Sequence, residues 1–277
     1  MHKIFAFAGA LMVCCAVQAQ VFDNAITTLA QDVKGQIVSP KTTAELKTLF
    51  KDATHTKVPR IFVEKFPADF TTEGSPELFS QVITALVLRS NEKTLRDKII
   101  LTGLKSKYDK GVEWTPTEDA FFHKLVEKYD VIVKKTIPTQ LEQLMIKIDE
   151  VTPGLAVAQA AYATDWGTKN LSHPYMQMGW LDDQHYEPVS YDSLIKATDD
   201  YVQDMNAAPN YWLWRVQRQK AAHRAGGQRL AYNMAGHLRS YLPEDPLYSM
   251  TLQQLIKNNP ALGQLYEASF IENSEEK

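Results

Sequence analysis

The residues of this 277-residue chain that could carry catalysis are seven histidines, two cysteines, and an acidic and aromatic stretch between Asn170 and Tyr191. Spacing decides against the first two. The histidines show no H-E-x-x-H or comparable ligand pattern, so a zinc hydrolase is not supported. Both cysteines, Cys14 and Cys15, fall in an apolar leader, which leaves the folded part with no thiol, no disulfide and no cysteine-ligated metal. There is no G-x-S-x-G and no glycine-rich phosphate loop; Gly226-Gly227 in AHRAGGQRL reads as a turn between helices. No cofactor and no metal is therefore expected. What remains is carboxylates and aromatics. NLSHPYMQMGWLDDQHYEPVSY lacks helical periodicity, and ahead of it stands a helix end, AQAAYATDWGTKN, that is apolar up to Tyr162 and expected to stop at Gly167.

The elements that must hold these residues begin after a leader. MHKIFAFAGALMVCCAVQAQ combines Lys3, an apolar run from Ile4 to Val17 and a small-residue exit, which is the pattern of a signal peptide over residues 1–19. The run is shorter than the roughly 20 residues a spanning helix needs. Export to a periplasmic or cell-envelope location follows, with no membrane span after cleavage; lipid attachment at Cys14 or Cys15 is the alternative, against which stand the bulky residues just before each cysteine. A formal net charge of −3 gives no reason to expect nucleic acid as a partner.

Residues 20–57 read as a polar, loosely attached lead-in with one helical candidate, TTAELKTLFKDA. Residues 58–137 read as a helical extension. VPRIFVEKFPADF has an extended, Pro-bounded pattern; Ser75-Pro76-Glu77 then opens a helix with Leu78, Val82, Leu86 and Arg89 in register, read as one long helix through FSQVITALVLRSNEKTLRDKIILTGL, with a break near Ser90-Asn91 as the alternative. In WTPTEDAFFHKLVEKY, Thr115, Pro116 and Glu118 form a capping box ahead of a stripe of Phe121, Leu125 and Tyr129. KSKYDK reads as a solvated helix end. Residues 138–265 read as the main domain. Leu141, Leu144, Met145 and Ile148 mark one helix, and Thr152-Pro153 starts the next, along which Ala156, Ala160 and Ala163 recur. After the irregular segment, Leu194, Ile195, Thr198, Tyr201, Val202 and Met205 form one face of a helix broken by Pro209. Tyr211, Trp212 and Trp214 form a hydrophobic cluster, and QRLAYNMAGHL and MTLQQLIKNN are the last helices, ahead of a polar tail at 266–277. Successive capped helices with short connections make the fold class mainly α.

In this order the segments resemble the Bax-type branch of the bacterial glucosaminidase family, peptidoglycan hydrolases of lysozyme-like fold. DEVTPGLAVAQAAYATDWGT is similar to the family's A-Q-A-A-x-E-S-x-W-G entry. VPRIFVEKFP and ALVLRSNEKTLRDK are similar to the branch's VP-x-x-F-V-E and L-V-L-R-x-N-E-K. YDSLIKATDDYVQDMNAAPNYWLWR and YLPEDPLYSMTLQQLI are similar to its Y-D-S-L…L-N-x-x-P-x-Y and its closing D-P-x-Y. The likeness covers roughly residues 58–260. It implies an exported, lysozyme-like α-helical protein whose partner is the peptidoglycan glycan strand and whose reaction is hydrolysis of the N-acetylglucosamine to N-acetylmuramic acid bond. A glutamate would act as general acid, protonating the glycosidic oxygen as the bond breaks.

The position matching that glutamate is Ala163, and a methyl group donates no proton. Three explanations follow. Hydrolysis has been lost and glycan binding kept; or another carboxylate substitutes; or the alanine is a deliberate knockout, which would leave the other departures without a cause. Those departures are Thr164 for the motif's serine, Tyr175-Met176-Gln177-Met178-Gly179-Trp180 for an N-L-F-G, and a shortened segment from Trp180 to Tyr191. Asp182, Asp183 and Glu187 are the candidate substitutes. Asp165, about 200° further round a continuing helix, would point away from the side Ala163 faces. Thr164, Trp166, Tyr175, Trp180, Tyr241 and Tyr248 are the residues the resemblance assigns to substrate binding, where flat rings stack on sugars. Core or rim packing is the competing role for each of these aromatics, and the favoured one for Trp166, which follows the helix and precedes its glycine stop.

Overall fold

The computed structural model describes residues 33–168, 191–222, 230–238 and 247–272. The leader at 1–19, Tyr175, Trp180, Asp182, Asp183, Glu187, Gly226, Gly227 and Tyr241 lie outside them. The described residues are mainly helical, with a few very short strands. None of their helices is long and apolar enough to cross a membrane.

Two compact units divide the chain, and their boundaries fall elsewhere than the sequence pattern placed them: Leu95–Ile148 forms one, Lys34–Thr94 with the chain from Asp149 onward the other. In the larger unit, β1 (Gln36–Val38) pairs in parallel with β3 (Ile61–Val63), and β2 (Lys57–Val58) pairs in parallel with β4 (Ser269–Phe270). Between β1 and β2 lies α1 (Thr43–Leu49), capped by Thr42, whose hydroxyl accepts from the Glu45 N–H. Leu46 and Phe50 are buried, and the Thr43 N–H and hydroxyl both donate to Asp69. The described part of the expected loose lead-in is therefore built into this unit, held by the β1–β3 pairing and by Asp69, 26 residues beyond Thr43.

After the single turn α2 (Phe70–Glu73), α3 runs over Pro76–Asp109 as one helix of 34 residues, opened by Ser75, whose hydroxyl accepts from the Leu78 N–H. The helix is the single long one read from the sequence, and the alternative of a break at Ser90-Asn91 is not taken. These polar residues serve tertiary bonds instead. Asn91 donates to the Val151 carbonyl at 2.8 Å and accepts from the Val151 N–H at 2.9 Å. Ser90, Arg89 and Lys93 all reach Asp199. Burial alone would raise the Asp199 pKa, but the hydrogen bonds from Ser90 and Lys93 and the charges of Lys93 and Arg89 outweigh it and hold the carboxyl below its ordinary value.

The smaller unit consists of the second part of α3, α4 (Pro116–Lys128) and α5 (Ile137–Lys147). The capping box at Thr115 and Glu118 is complete, and buried Glu118 also receives Lys107 from α3, so part of the expected solvated end is an ion pair. The core gathers Leu101, Leu104, Phe122, Leu125, Tyr129, Leu141, Leu144 and Ile148. Phe122, not Phe121, takes the innermost place on α4, with Phe121 half-buried.

The larger unit is completed by α6 (Pro153–Thr164), α7 (Leu194–Ala207), a 3-10 turn (Pro209–Tyr211), α8 (Trp212–Ala222), α9 (Ala231–Ala235), α10 (Tyr248–Asn258) and α11 (Pro260–Gln264). Tyr211 and Trp214 are buried as the cluster reading expects, whereas Trp212 is 39% exposed. Arg218 is wholly buried and donates to the carbonyls of Asp149 and Glu150 and to Asn206, tying α8 to the start of the α6 segment.

Candidate functional site

The segment that carries Ala163 is the most apolar helix of the larger unit. PGLAVAQAAYAT has no charged residue, and all its positions from Pro153 to Ala161 are buried, as is Thr164. Packing is close enough that a methyl on Gly154 would stand 2.1 Å from the Leu262 carbonyl oxygen of α11. Only Tyr162, 36% exposed, and half-buried Ala163 reach the surface, at the C-terminal end of the helix. Ala156 and Ala160 are fully buried, whereas Ala163, the third residue of the same small-residue stripe, is half-buried.

One polar side chain sits inside this helix. Gln159 is wholly buried, and both ends of its amide are engaged: the Tyr201 hydroxyl of α7 donates to its Oε1 at 2.6 Å, and its Nε2 donates to the Tyr248 hydroxyl of α10 at 2.9 Å. A buried amide left unmatched costs more than the bond itself gives, so this bridge fixes three helices in one register. Ala163 lies four residues after Gln159, one turn further along the same face. The Tyr162 ring meets Tyr248 edge-on at 5.5 Å.

The helix stops earlier than expected. Thr164 is its last residue, and Asp165, Trp166 and Gly167 follow with φ of 49°, 59° and 83°. Three successive left-handed residues, two of them not glycine, hold strain that tertiary contacts must offset. Those contacts are visible. Trp166 meets Phe79 edge-on at 6.1 Å, and Phe66 packs on both Phe70 and Phe79. A methyl on Gly167 would lie 2.8 Å from the Phe70 ring and 2.9 Å from the Phe79 ring. The buried Thr164 hydroxyl donates to the Ala160 carbonyl at 2.8 Å and accepts from the Gly167 N–H at 2.9 Å, so it is spent on ending the helix. Asp165 is exposed and outside the helix, where rotation along a continuing helix no longer describes it. Its carbonyl accepts from the Thr168 hydroxyl at 2.8 Å.

Of the residues the resemblance singles out, Ala163, Thr164, Trp166 and Tyr248 belong to this larger unit. Tyr175, Trp180, Asp182, Asp183, Glu187 and Tyr241 lie outside the described residues. Four polar residues bear on this unit that were not singled out as site residues. Gln159 had a readable signal, being the lone polar side chain in an apolar run. Tyr201 stands on the apolar stripe of α7 and is 2% exposed; burial pushes its phenol well above the ordinary value, and Tyr248 adds to the shift. Tyr211 is raised likewise, first by burial and then by Tyr248, Tyr201 and Asp204, with Arg215 opposing. The Tyr201 and Tyr211 phenols hold their protons at neutral pH. Asp204 is the fourth: burial, with the Asp200 carboxylate adding to it, raises it to about 7. Its sequence signal was an acid one turn beyond Tyr201, beside Met205 in the buried stripe.

The larger unit thus offers protonated phenols, an oriented amide and one carboxyl that exchanges its proton near neutrality, with a methyl at position 163. Among the described residues no group of three or more His, Asp and Glu side chains is placed to hold a metal ion. No protein-family model, no curated protein and no solved structure matches the chain.

Proposed function

We propose that this chain is an exported, lysozyme-like protein of the glucosaminidase type that engages peptidoglycan glycan strands, with cleavage of the N-acetylglucosamine to N-acetylmuramic acid bond lost or strongly weakened. The observation that carries the reading is the character of position 163. It lies on the surface-reaching end of an otherwise buried helix, next to Tyr162 and one turn past the Gln159 bridge. Its side chain is a methyl, which neither donates nor accepts a proton. Loss of a general acid lowers a rate by about 10²- to 10⁴-fold, so binding outlives hydrolysis. The mainly helical fold and the ordered series of similar segments support the same assignment.

The test is co-sedimentation of the protein with purified, insoluble peptidoglycan, together with a count of new reducing ends in the soluble fraction. Sedimentation with the glycan and no release of fragments is the expected result. Failure to sediment removes the proposal. Release of fragments at a hydrolase's rate would transfer the acid's role to another carboxyl, with Asp182, Asp183 and Glu187 the first to be replaced.

A further inference from the structure

The smaller unit carries a second surface of distinct chemistry. After α4 the chain is pinned twice: buried Lys147 donates to the carbonyls of Tyr129 and Asp130 at 2.7 and 2.8 Å, and the Val131 N–H donates to the Val126 carbonyl at 2.9 Å. Asp130 takes a left-handed φ of 49° there, and Val131 is the last residue to be buried. The next seven residues, 132–138, are all exposed. Ile132 and Val133 are 57% and 71% exposed, and Ile137 is 38% exposed. This is not a slack loop. The Lys135 N–H donates to the Ile132 carbonyl at 3.2 Å, and Gln140 Nε2 donates to the carbonyls of Ile132 and Val133 at 3.3 and 3.1 Å.

The carbonyls of the two residues at the tip, Ile132 and Val133, are therefore bonded, and their β-branched apolar side chains are exposed beside Lys134 and Lys135. Neither lysine is in an ion pair among the described residues. From Val131 to Leu141 the chain has no acidic residue. Backbone groups already bonded are a requirement for entering an apolar medium, and lysines at the edge of an apolar tip are suited to anionic headgroups, which their long stems allow them to reach. A hydrated polar partner would draw little from Ile132 and Val133; an acidic protein surface would not need them.

We infer that the Ile132–Ile137 turn docks on an anionic lipid bilayer surface, Ile132 and Val133 entering the headgroup region and Lys134 and Lys135 pairing with its charge. The test uses the full chain and two vesicle types, phosphatidylcholine alone and phosphatidylcholine with phosphatidylglycerol. The apolar run Ile4–Val17 could bind either type, so the readout is the difference between them, joined to amide exchange across residues 132–137. Tighter flotation with the anionic vesicles and protection of the turn are expected. Lys134→Gln with Lys135→Gln should weaken the anionic preference by roughly 30-fold, about fivefold for each lysine. Ile132→Ser with Val133→Ser should abolish protection while leaving the fold intact, since both positions are exposed. No preference for anionic vesicles, or flotation without protection of the turn, overturns the inference. So does a concentration-dependent dimer in vesicle-free solution that the serine variant dissolves, because the surface would then belong to a second copy.

Discussion

One buried and one half-buried polar side chain set the character of the larger unit, and their effects have opposite signs. Gln159 joins Tyr201 and Tyr248 through the interior, and each partner is buried. Gln159→Leu would leave two phenol hydroxyls without that partner, at a cost on the order of 2–4 kcal/mol. Urea denaturation should show this as a lower midpoint with little change in slope, and a loss below about 0.5 kcal/mol would mean the bridge is dispensable. Asp204 works against the fold at high pH. Its folded pKa, about 7, lies above the ordinary carboxyl value near 3.9. Its favourable contribution is therefore complete below about pH 4 and is lost as pH rises through 7. Asp204→Asn should flatten that decline, and its stability relative to the parent should be higher at pH 8 than at pH 4 by on the order of 1–2 kcal/mol, allowing for solvent screening. Parallel pH profiles for parent and variant would show that Asp204 does not titrate in this range.

At the scale of elements, the end of α6 is where local preference and tertiary packing disagree. Asp165 adopts a left-handed conformation at an exposed position that glycine accepts freely. Asp165→Gly should therefore be neutral or stabilising by about 0.5–1 kcal/mol. Gly167→Ala should do the reverse, losing on the order of 2 kcal/mol or more, because φ is 83° and the methyl would press on two phenylalanine rings. Thermal melts of the two variants check both signs; equal effects would contradict the strained-terminus description. The same elements show what was legible in the sequence. The capping box at Thr115 and Glu118 could be read because all its atoms lie within one turn. The length of α3 could be read from its helical spacing, but the partners of Ser90 and Asn91 could not, since Asp199 and Val151 lie far along the chain. Gly167 was visible as a stop, but the unwinding from Asp165 depends on Phe70 and Phe79. The anchoring of the segment around α1 depends on Asp69 in the same way.

For the whole molecule, the mainly α class was legible because capped, amphipathic segments follow one another with short connections, whereas the division into units was not. Thr94 and Leu95 lie within one continuous helix, so no loop, proline or glycine marks that boundary. The proposed site was legible only as a position, Ala163, which the resemblance sets against an acid, and the Gln159 bridge behind it came from packing. The most direct measurement of the central claim compares the parent protein with Ala163→Glu on purified peptidoglycan, identifying soluble products by mass spectrometry. Position 163 is half-buried at a helix end, so the longer side chain has room to leave the interior. The proposal predicts that the variant releases fragments with new reducing ends at a rate about 10²- to 10⁴-fold above the parent's. Equal and rapid release by both proteins, or none by either with no retention on the glycan, would contradict it.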